Sequence, residues 1–275
     1  MTLAGFAESL VTQVSALIRR YAKVNDYNND QRTAKYLENF TREKVLSSLI
    51  SKTNPTIFDI GANMGQSIQE FLDIWPDANV IAFEPQQECL EYLKQFENEN
   101  VQVVGLAAGN VSNSNLSFYS HQINFGLTGY SSGLSGFNRL NVNAKDSLNL
   151  SKMQKGTKEY EEYVSQLNHE TKVSCVRLDE WIENNSIAEV DLLKIDTQGF
   201  EPEVIEGMGE YLKSTKVVLT EVMLYDLYER SLNFSDIEKH LLPAGFKLFD
   251  ISHISKNPLN GRTDWVDLIY VNENC

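Results

Sequence analysis

The sequence predicts an α/β fold, a mostly parallel, doubly wound sheet of seven strands with an antiparallel last strand, preceded by N-terminal helices. Three observations carry this expectation. From Thr56 onward, short apolar runs alternate with amphipathic segments, the pattern of strands joined by crossover helices. Two of those runs, 56–61 and 190–196, end at an acid beside a glycine turn that opens onto a helix. The last two runs, 246–251 and 265–271, have only the stretch 252–264 between them, too irregular for a crossover helix, so the final strand should run antiparallel.

The first fifty residues predict helices over about 3–23 and 30–51, separated by the polar break Asn25-Asp26-Tyr27-Asn28-Asn29. In the first, Leu3, Phe6, Leu10, Val14, Leu17 and Tyr21 recur at three- and four-residue steps. Such an apolar stripe docks on the main domain or on a second subunit, which makes a homodimer through these helices one reading. Its polar face is not basic, which weighs against a membrane surface. Strand 56–61, helix 65–74, strand 79–84, helix 86–96 and strand 101–108 follow. An insertion over about 111–170 then interrupts the alternation. It contains strand-like Asn115-Leu116-Ser117-Phe118-Tyr119, a polar glycine-rich stretch over 126–138 and a charged helix over 157–168. Insertions over the carboxyl ends of strands tend to carry function. The polar side chains here, centred on Tyr130 and Ser135, suit a polyhydroxylated acceptor, with a plain surface loop as the alternative. Strand 172–178, the short helix 179–183, strand 190–196, helix 200–212, strand 216–223 and helix 234–243 lead to the final strand pair. The expected division is a helical extension, 1–52, and a main domain, 53–275.

Composition narrows the classes. A hydrophobic fraction of 42% supplies a real core for one large domain. The net charge of −14 argues against a nucleic-acid groove, which needs a basic face. Cys89, Cys175 and Cys275 are widely spaced and odd in number, so they imply neither a disulfide framework nor a zinc site and suit a reducing cytoplasm. No apolar run reaches membrane-spanning length, and Arg19 and Arg20 stand at the wrong end for a signal peptide.

The stretch 56–85, TIFDIGANMGQSIQEFLDIWPDANVIAFEP, carries the most chemistry. Glycines at 61 and 65 permit dihedrals closed to other residues and let a ligand approach the backbone. The turn opens onto a helix N-terminus, whose free N–H groups attract anions. Glu84 ends the next strand, where two carboxylate oxygens can accept from both ribose hydroxyls. The spacing is G-x-x-x-G, without the three glycines of G-x-G-x-x-G, which favours S-adenosylmethionine over a dinucleotide. Glycines serving only the turn are the plainer alternative. In the second motif, VDLLKIDTQGFEPEVIEG over 190–207, Asp196 either faces the ligand crevice or caps the helix that follows.

Taken together, Phe58-Asp59-Ile60-Gly61-Ala62-Asn63-Met64-Gly65, Ala82-Phe83-Glu84-Pro85, Leu178-Asp179-Glu180 and the Leu193–Glu201 motif with Asp196, Gln198 and Gly199 resemble the FkbM family of S-adenosylmethionine-dependent methyltransferases over roughly 56–271. The resemblance implies a Rossmann-like class I methyltransferase fold, S-adenosylmethionine as cofactor, and O-methylation of a small-molecule or glycan hydroxyl. By position it implies that Asp59, Gly61, Asn63 and Gly65 surround the methionine moiety, that Glu84 holds the ribose hydroxyls and that Ala107 and Ala108 lie near the adenine. Asp196 falls near the amino group or the sulfonium. The family commonly has a glutamate where this chain has Gln198, so a base is not assigned there. Residues 1–50 and 120–170 lie outside the resemblance, and the acceptor does not carry over.

Methyl transfer to a hydroxyl is an in-line displacement that needs positioning and a proton acceptor. Candidate bases are Asp196 and Glu221 at strand ends and His253 in the loop expected between the last two strands. Asp196, Glu221 and Asp226 could together hold Mg²⁺, but no metal is expected. Two other classes stay open: an NAD-dependent reductase or epimerase, against which the missing G-x-G-x-x-G and Tyr-x-x-x-Lys weigh, and a non-catalytic scaffold that binds S-adenosylmethionine.

Overall fold

A computed structural model describes residues 28–121, 132–143, 155–258 and 260–275. The helix expected over 3–23 and the stretch about Tyr130 lie outside the described residues. The chain divides into two compact units between Leu46 and Ser47. In the first, helix α1 (Asn29–Asn39) is closed by a capping box, Asn28 accepting from the Gln31 N–H at 2.9 Å and Gln31 accepting from the Asn28 N–H at 3.0 Å. The single helix expected over 30–51 is broken at Phe40, whose backbone is extended. The Thr41 hydroxyl then accepts from the Lys44 N–H at 3.4 Å and starts α2 (Arg42–Leu49).

The larger unit runs β1 (Thr56–Ile60), α3 (Gln66–Ile74), β2 (Asn79–Phe83), α4 (Gln87–Leu93), β3 (Val101–Val104), β4 (Ala107–Gly109), β5 (Asn113–Ser120), α5 (Lys158–Leu167), β6 (His169–Arg177), α6 (Leu178–Asn184), β7 (Leu192–Ile195), α7 (Glu201–Gly207), β8 (Val217–Met223), α8 (Phe234–Leu241), β9 (Phe246–Lys256) and β10 (Thr263–Asn272). Its seven-stranded sheet has the order β3-β2-β1-β7-β8-β10-β9. Pairing is parallel from β3 through β8, and β10 runs antiparallel to both of its neighbours, as expected for the last strand. The order reverses between β1 and β7, the switch point where doubly wound sheets open a crevice. The central strands read as nearly continuous apolar runs because both faces are covered. On one face Phe58 and Phe83 meet the Trp181 ring of α6 edge-on, at 5.7 and 5.1 Å between centroids. At the opposite end of the strands, fully buried Asp191 accepts from Lys216 at 2.7 Å, Lys52 at 3.0 Å and the Thr56 N–H at 3.0 Å, tying together the starts of β1, β7 and β8.

Three expectations need correction. The strand expected over 101–108 is two strands: the chain turns at Gly105, the Leu106 N–H reaches back to the Val104 carbonyl at 2.8 Å, and β4 leaves for a separate three-stranded sheet, β4-β6-β5. The helices expected over 86–96 and 200–212 finish as tighter 3₁₀ turns, Lys94–Phe96 and Gly209–Ser214. The stretch 252–264 is mostly strand, because Ile254 and Ser255 continue the ladder opposite Val266 and Trp265. His253 therefore lies within β9, exposed and opposite Asp267, and not in a loop.

Helix α7 packs on β4 through two glycines in close approach: a Cβ added at Gly207 would sit 1.9 Å from the Gly109 carbonyl oxygen. Gly207→Ala should thus force α7 off β4 and lower stability by about 2 kcal/mol or more, read as a lower urea midpoint. An unchanged midpoint would show that this contact gives way freely.

Candidate active site

A cavity enclosing about 510 Å³ of empty space, including its open mouth, lies over the carboxyl ends of β1, β2 and β7. Gly61, Asn63, Glu84 and Asp196 form one side, Ala107 and Ala108 of β4 another, and Phe118, Gly133, Ser135 and Phe137 of the insertion close over it. Phe137 is anchored between Phe118, edge-on at 5.4 Å, and Phe200 at 4.2 Å. Ser135, expected to meet the acceptor, lines this cavity and accepts from the His121 N–H at 3.2 Å.

The glycine turn is dictated by how closely β1 and β7 approach. Gly61 has φ +80°, and a Cβ there would stand 1.9 Å from the Asp196 carbonyl oxygen. The Asp196 N–H donates to the Ile60 carbonyl at 3.0 Å across the same seam. Gly65 also has positive φ, but its missing Cβ makes room for the Phe96 ring, at 2.4 Å, and it does not line the cavity. Glu84 is 2% exposed; one of its oxygens accepts from the Asn63 N–H at 2.9 Å, the other from the Gln86 N–H at 2.9 Å and the Gln86 amide at 3.2 Å. Burial pushes its carboxyl above the ordinary range, and these donors together with Lys194 offset part of the rise. A carboxylate has about four acceptor positions, so Glu84 retains capacity for ligand hydroxyls.

Asp59 does not face the cavity. It is fully buried beneath the turn, accepts from Ser67 Oγ at 2.5 Å and pairs with Lys194 Nζ at 3.0 Å. Lys194 also donates to the Gly61 carbonyl at 2.9 Å and stands 3.9 Å from the Asp196 carboxylate. Burial alone would drive its ammonium down; Asp59, Asp196 and Glu84 outweigh it and hold the group above the usual lysine value.

The segment after β7 is held by Glu201, 3% exposed, whose carboxylate accepts from the Thr197 N–H at 2.9 Å and the Gly199 N–H at 3.0 Å. Between these anchors Gln198 adopts φ +56°. Its amide nitrogen donates to Asp196 Oδ1 at 2.7 Å and Glu221 Oε1 at 3.2 Å, and its amide oxygen accepts from the Tyr228 hydroxyl at 2.8 Å. Two expected site carboxylates, Asp196 and Glu221, are therefore joined through one neutral side chain. Burial, then Asp196, then Asp267 opposite on β10 push the Glu221 carboxyl well above the ordinary range. Asp196 does not cap the following helix, which begins at Glu201 with Phe200 at its cap. Asp226, the third carboxylate considered for Mg²⁺, is exposed and accepts from Ser231 at 2.7 Å. Among the described residues no group of three or more His, Cys, Asp or Glu is placed to hold a metal ion. His253, on the edge strand, lines neither this cavity nor its neighbour. Sequence reasoning missed Gln198 as a bridge, Glu201 as the brace of its loop, Phe137 and Tyr228. The spacing of Asp196, Gly199 and Glu201 held a signal for the brace, and Tyr228 had none.

Replacing Lys194 by methionine leaves Asp59 buried with its cation gone, which should lower stability by about 3–5 kcal/mol. The Asp59→Asn, Lys194→Met pair should recover part of that loss in chemical denaturation.

The family described as "Methyltransferase FkbM domain" matches residues 59–248. The 2-O-methyltransferase NoeI of Sinorhizobium fredii (strain NBRC 101917 / NGR234) is 30% identical over 201 residues, covering 72% of this chain and 74% of the relative. Among solved structures, methyltransferase FkbM from Methylobacillus flagellatus KT aligns with 84% of this chain at 13% identity and TM-score 0.48; the match spans 46% of that protein's length. The 1,6-didemethyltoxoflavin-N1-methyltransferase of Burkholderia thailandensis, with 1,6-didemethyltoxoflavin and S-adenosylhomocysteine bound, aligns over 99% of this chain and 91% of its own at 10% identity and TM-score 0.41. With the switch-point cavity and the family match over residues 59–248, the chain belongs to the FkbM family and is an S-adenosylmethionine-dependent methyltransferase.

Proposed function

We propose that the protein methylates a hydroxyl oxygen of a sugar, glycan or secondary metabolite, with Glu84 on the cofactor side and Asp196 and Glu221, joined through Gln198, on the acceptor side. The observation that carries this reading is the Asp196–Gln198–Glu221 bridge: Asp196 and Gln198 line the same cavity as Glu84, and the Gln198 amide joins Asp196 to Glu221. The residues fit the cofactor. Glu84 is a buried carboxylate at a strand end on the cavity wall, with an acceptor position left for a ribose hydroxyl. Ala107 and Ala108 offer a small, flat wall for the adenine, while Asn63 and Asp196 flank the methionine end.

S-adenosylmethionine supplies a methyl group on a positively charged sulfur. The protein's part is to hold an acceptor oxygen in line with that methyl and to take its proton. Asp196 attracts the positive end of the cofactor, and Glu221, which lines the neighbouring cavity and accepts from the Gln198 amide, is the proton acceptor. The relative NoeI carries 2-O-methyl transfer in its name, which supports oxygen as the acceptor atom. The same reading divides the chain into a helical extension, 1–52, and a catalytic domain, 53–275, with the insertion 111–170 over the site. It includes a cytoplasmic setting and self-association through the extension, which sedimentation equilibrium of the full chain tests.

Glu84→Ala should weaken S-adenosylhomocysteine binding at least about tenfold in calorimetry, since a hydrogen bond to a charged group is lost; unchanged affinity would sink the ribose assignment. Glu221 also links activity to pH. A carboxyl raised above its ordinary 4.5 keeps its proton in the folded protein while the unfolded chain loses it. Its contribution to stability is full below that value and is lost as pH rises through the folded pKa, while turnover rises over the same window. Glu221→Gln should remove both slopes, read from thermal midpoints and from pH–rate profiles, with turnover down by about a hundredfold.

A further inference from the structure

Beside the cofactor cavity lies a second one, of about 310 Å³, past the carboxyl end of β8. Glu221, Met223, Tyr225, Tyr228 and Ser231 line it. Gln198 is the one described residue that lines both cavities, so the partition between them is a single side chain. The lining offers aromatic ring faces beside a carboxylate and hydroxyls, the combination that holds a ring bearing several hydroxyl groups. The Tyr225 ring is fixed by Arg262, whose guanidinium lies 4.5 Å from the ring centre.

The partition is held by bonds that compete. The Tyr228 hydroxyl stands 2.8 Å from the Gln198 amide oxygen and 2.8 Å from the Leu134 carbonyl. One O–H donates to one of these acceptors at a time. When Tyr228 donates to Leu134, the Gln198 amide loses that tether and only its bonds to the two carboxylates remain. The Gln198 backbone stays in place, because Glu201 fixes the N–H groups on either side of it. A side chain on a fixed backbone can then swing aside without disturbing the cofactor wall.

We propose that the second cavity is the acceptor subsite for a polyol of the sugar type, and that the acceptor hydroxyl reaches the methyl group by taking the place of the Gln198 amide between Asp196 and Glu221. This rests on the methyl-transfer reading above. A hydroxyl in that position has one proton and two carboxylates to receive it. As the oxygen–carbon bond forms, the carbon–sulfur bond breaks with its electron pair left on sulfur, and the hydroxyl proton passes to Glu221 and then to water. Gln198 is a positioning residue: it keeps the two carboxylates apart and satisfied until the acceptor arrives.

The test measures cofactor binding and acceptor kinetics separately on the full chain, with S-adenosylhomocysteine and a panel of methyl hexopyranosides as probes. Ser231→Trp fills the second cavity from an exposed position, and Tyr225→Ala removes a ring face. Both should bind S-adenosylhomocysteine within about twofold of wild type and raise the glycoside KM at least about tenfold. Gln198→Asn should lower kcat about tenfold with a smaller change in KM. Glycoside kinetics unchanged in Ser231→Trp and Tyr225→Ala overturn the subsite. A glycoside that stabilises the wild-type complex with S-adenosylhomocysteine thermally, does not stabilise these two variants and is never methylated keeps the subsite and overturns the methyl-transfer reading. A wild-type protein that neither binds nor methylates any of the glycosides overturns the subsite and the sugar acceptor together.

Discussion

The ammonium of Lys194 organises the centre of this molecule. It is a buried cation on β7 that pairs with Asp59 on β1, donates to the carbonyl of Gly61 and faces Asp196. An isolated charge in that position would be very costly, so the pair is retained only because each partner neutralises the other in a dry seam. The arrangement locks β1 to β7 at the level where both strands end. It thereby sets the edge from which Gly61, Asp196 and the bridge at Gln198 project. Glu84 contributes to the same field from β2.

A second constraint acts through backbone spacing. The strand ends come so close that Gly61 has no room for a side chain, and Gly207 stands in the same relation to Gly109 where α7 meets β4. Close packing of backbone on backbone fixes the strand ends from which Gly61 and Asp196 reach the cavity wall. The polar braces follow the same logic. Glu201 holds two N–H groups around Gln198, and Asn63 and Gln86 hold Glu84.

Much of the turn after β1 and the acids at the strand ends was legible in the sequence, because the pattern is local. Positive φ at Gly61 and Gly65, the acid at the end of β2 and the acid after β7 each follow from a few adjacent residues. The acid at 59 shows the limit of such reading. Alternation along a strand says that Asp59 points to one face, but only the presence of Lys194 on the neighbouring strand turns it from a ligand residue into a structural pair. His253 shows the converse. Its polar surroundings read as loop, and the β-ladder to β10 pulled the segment into an edge strand.

The sequence by itself determined the fold class, through periodicities of two and of 3.6 residues, and the resemblance of its motifs gave the family and the cofactor that goes with it. Only the tertiary structure decided which distant side chains come together. Asp196, Glu221 and Tyr228 are separated by 25 and 7 residues in sequence order, yet meet at one amide. The meeting follows from β8 pairing beside β7 and from the Leu140–Tyr228 bridge, contacts between distant segments whose cost in chain entropy is repaid by the core and not by any local motif.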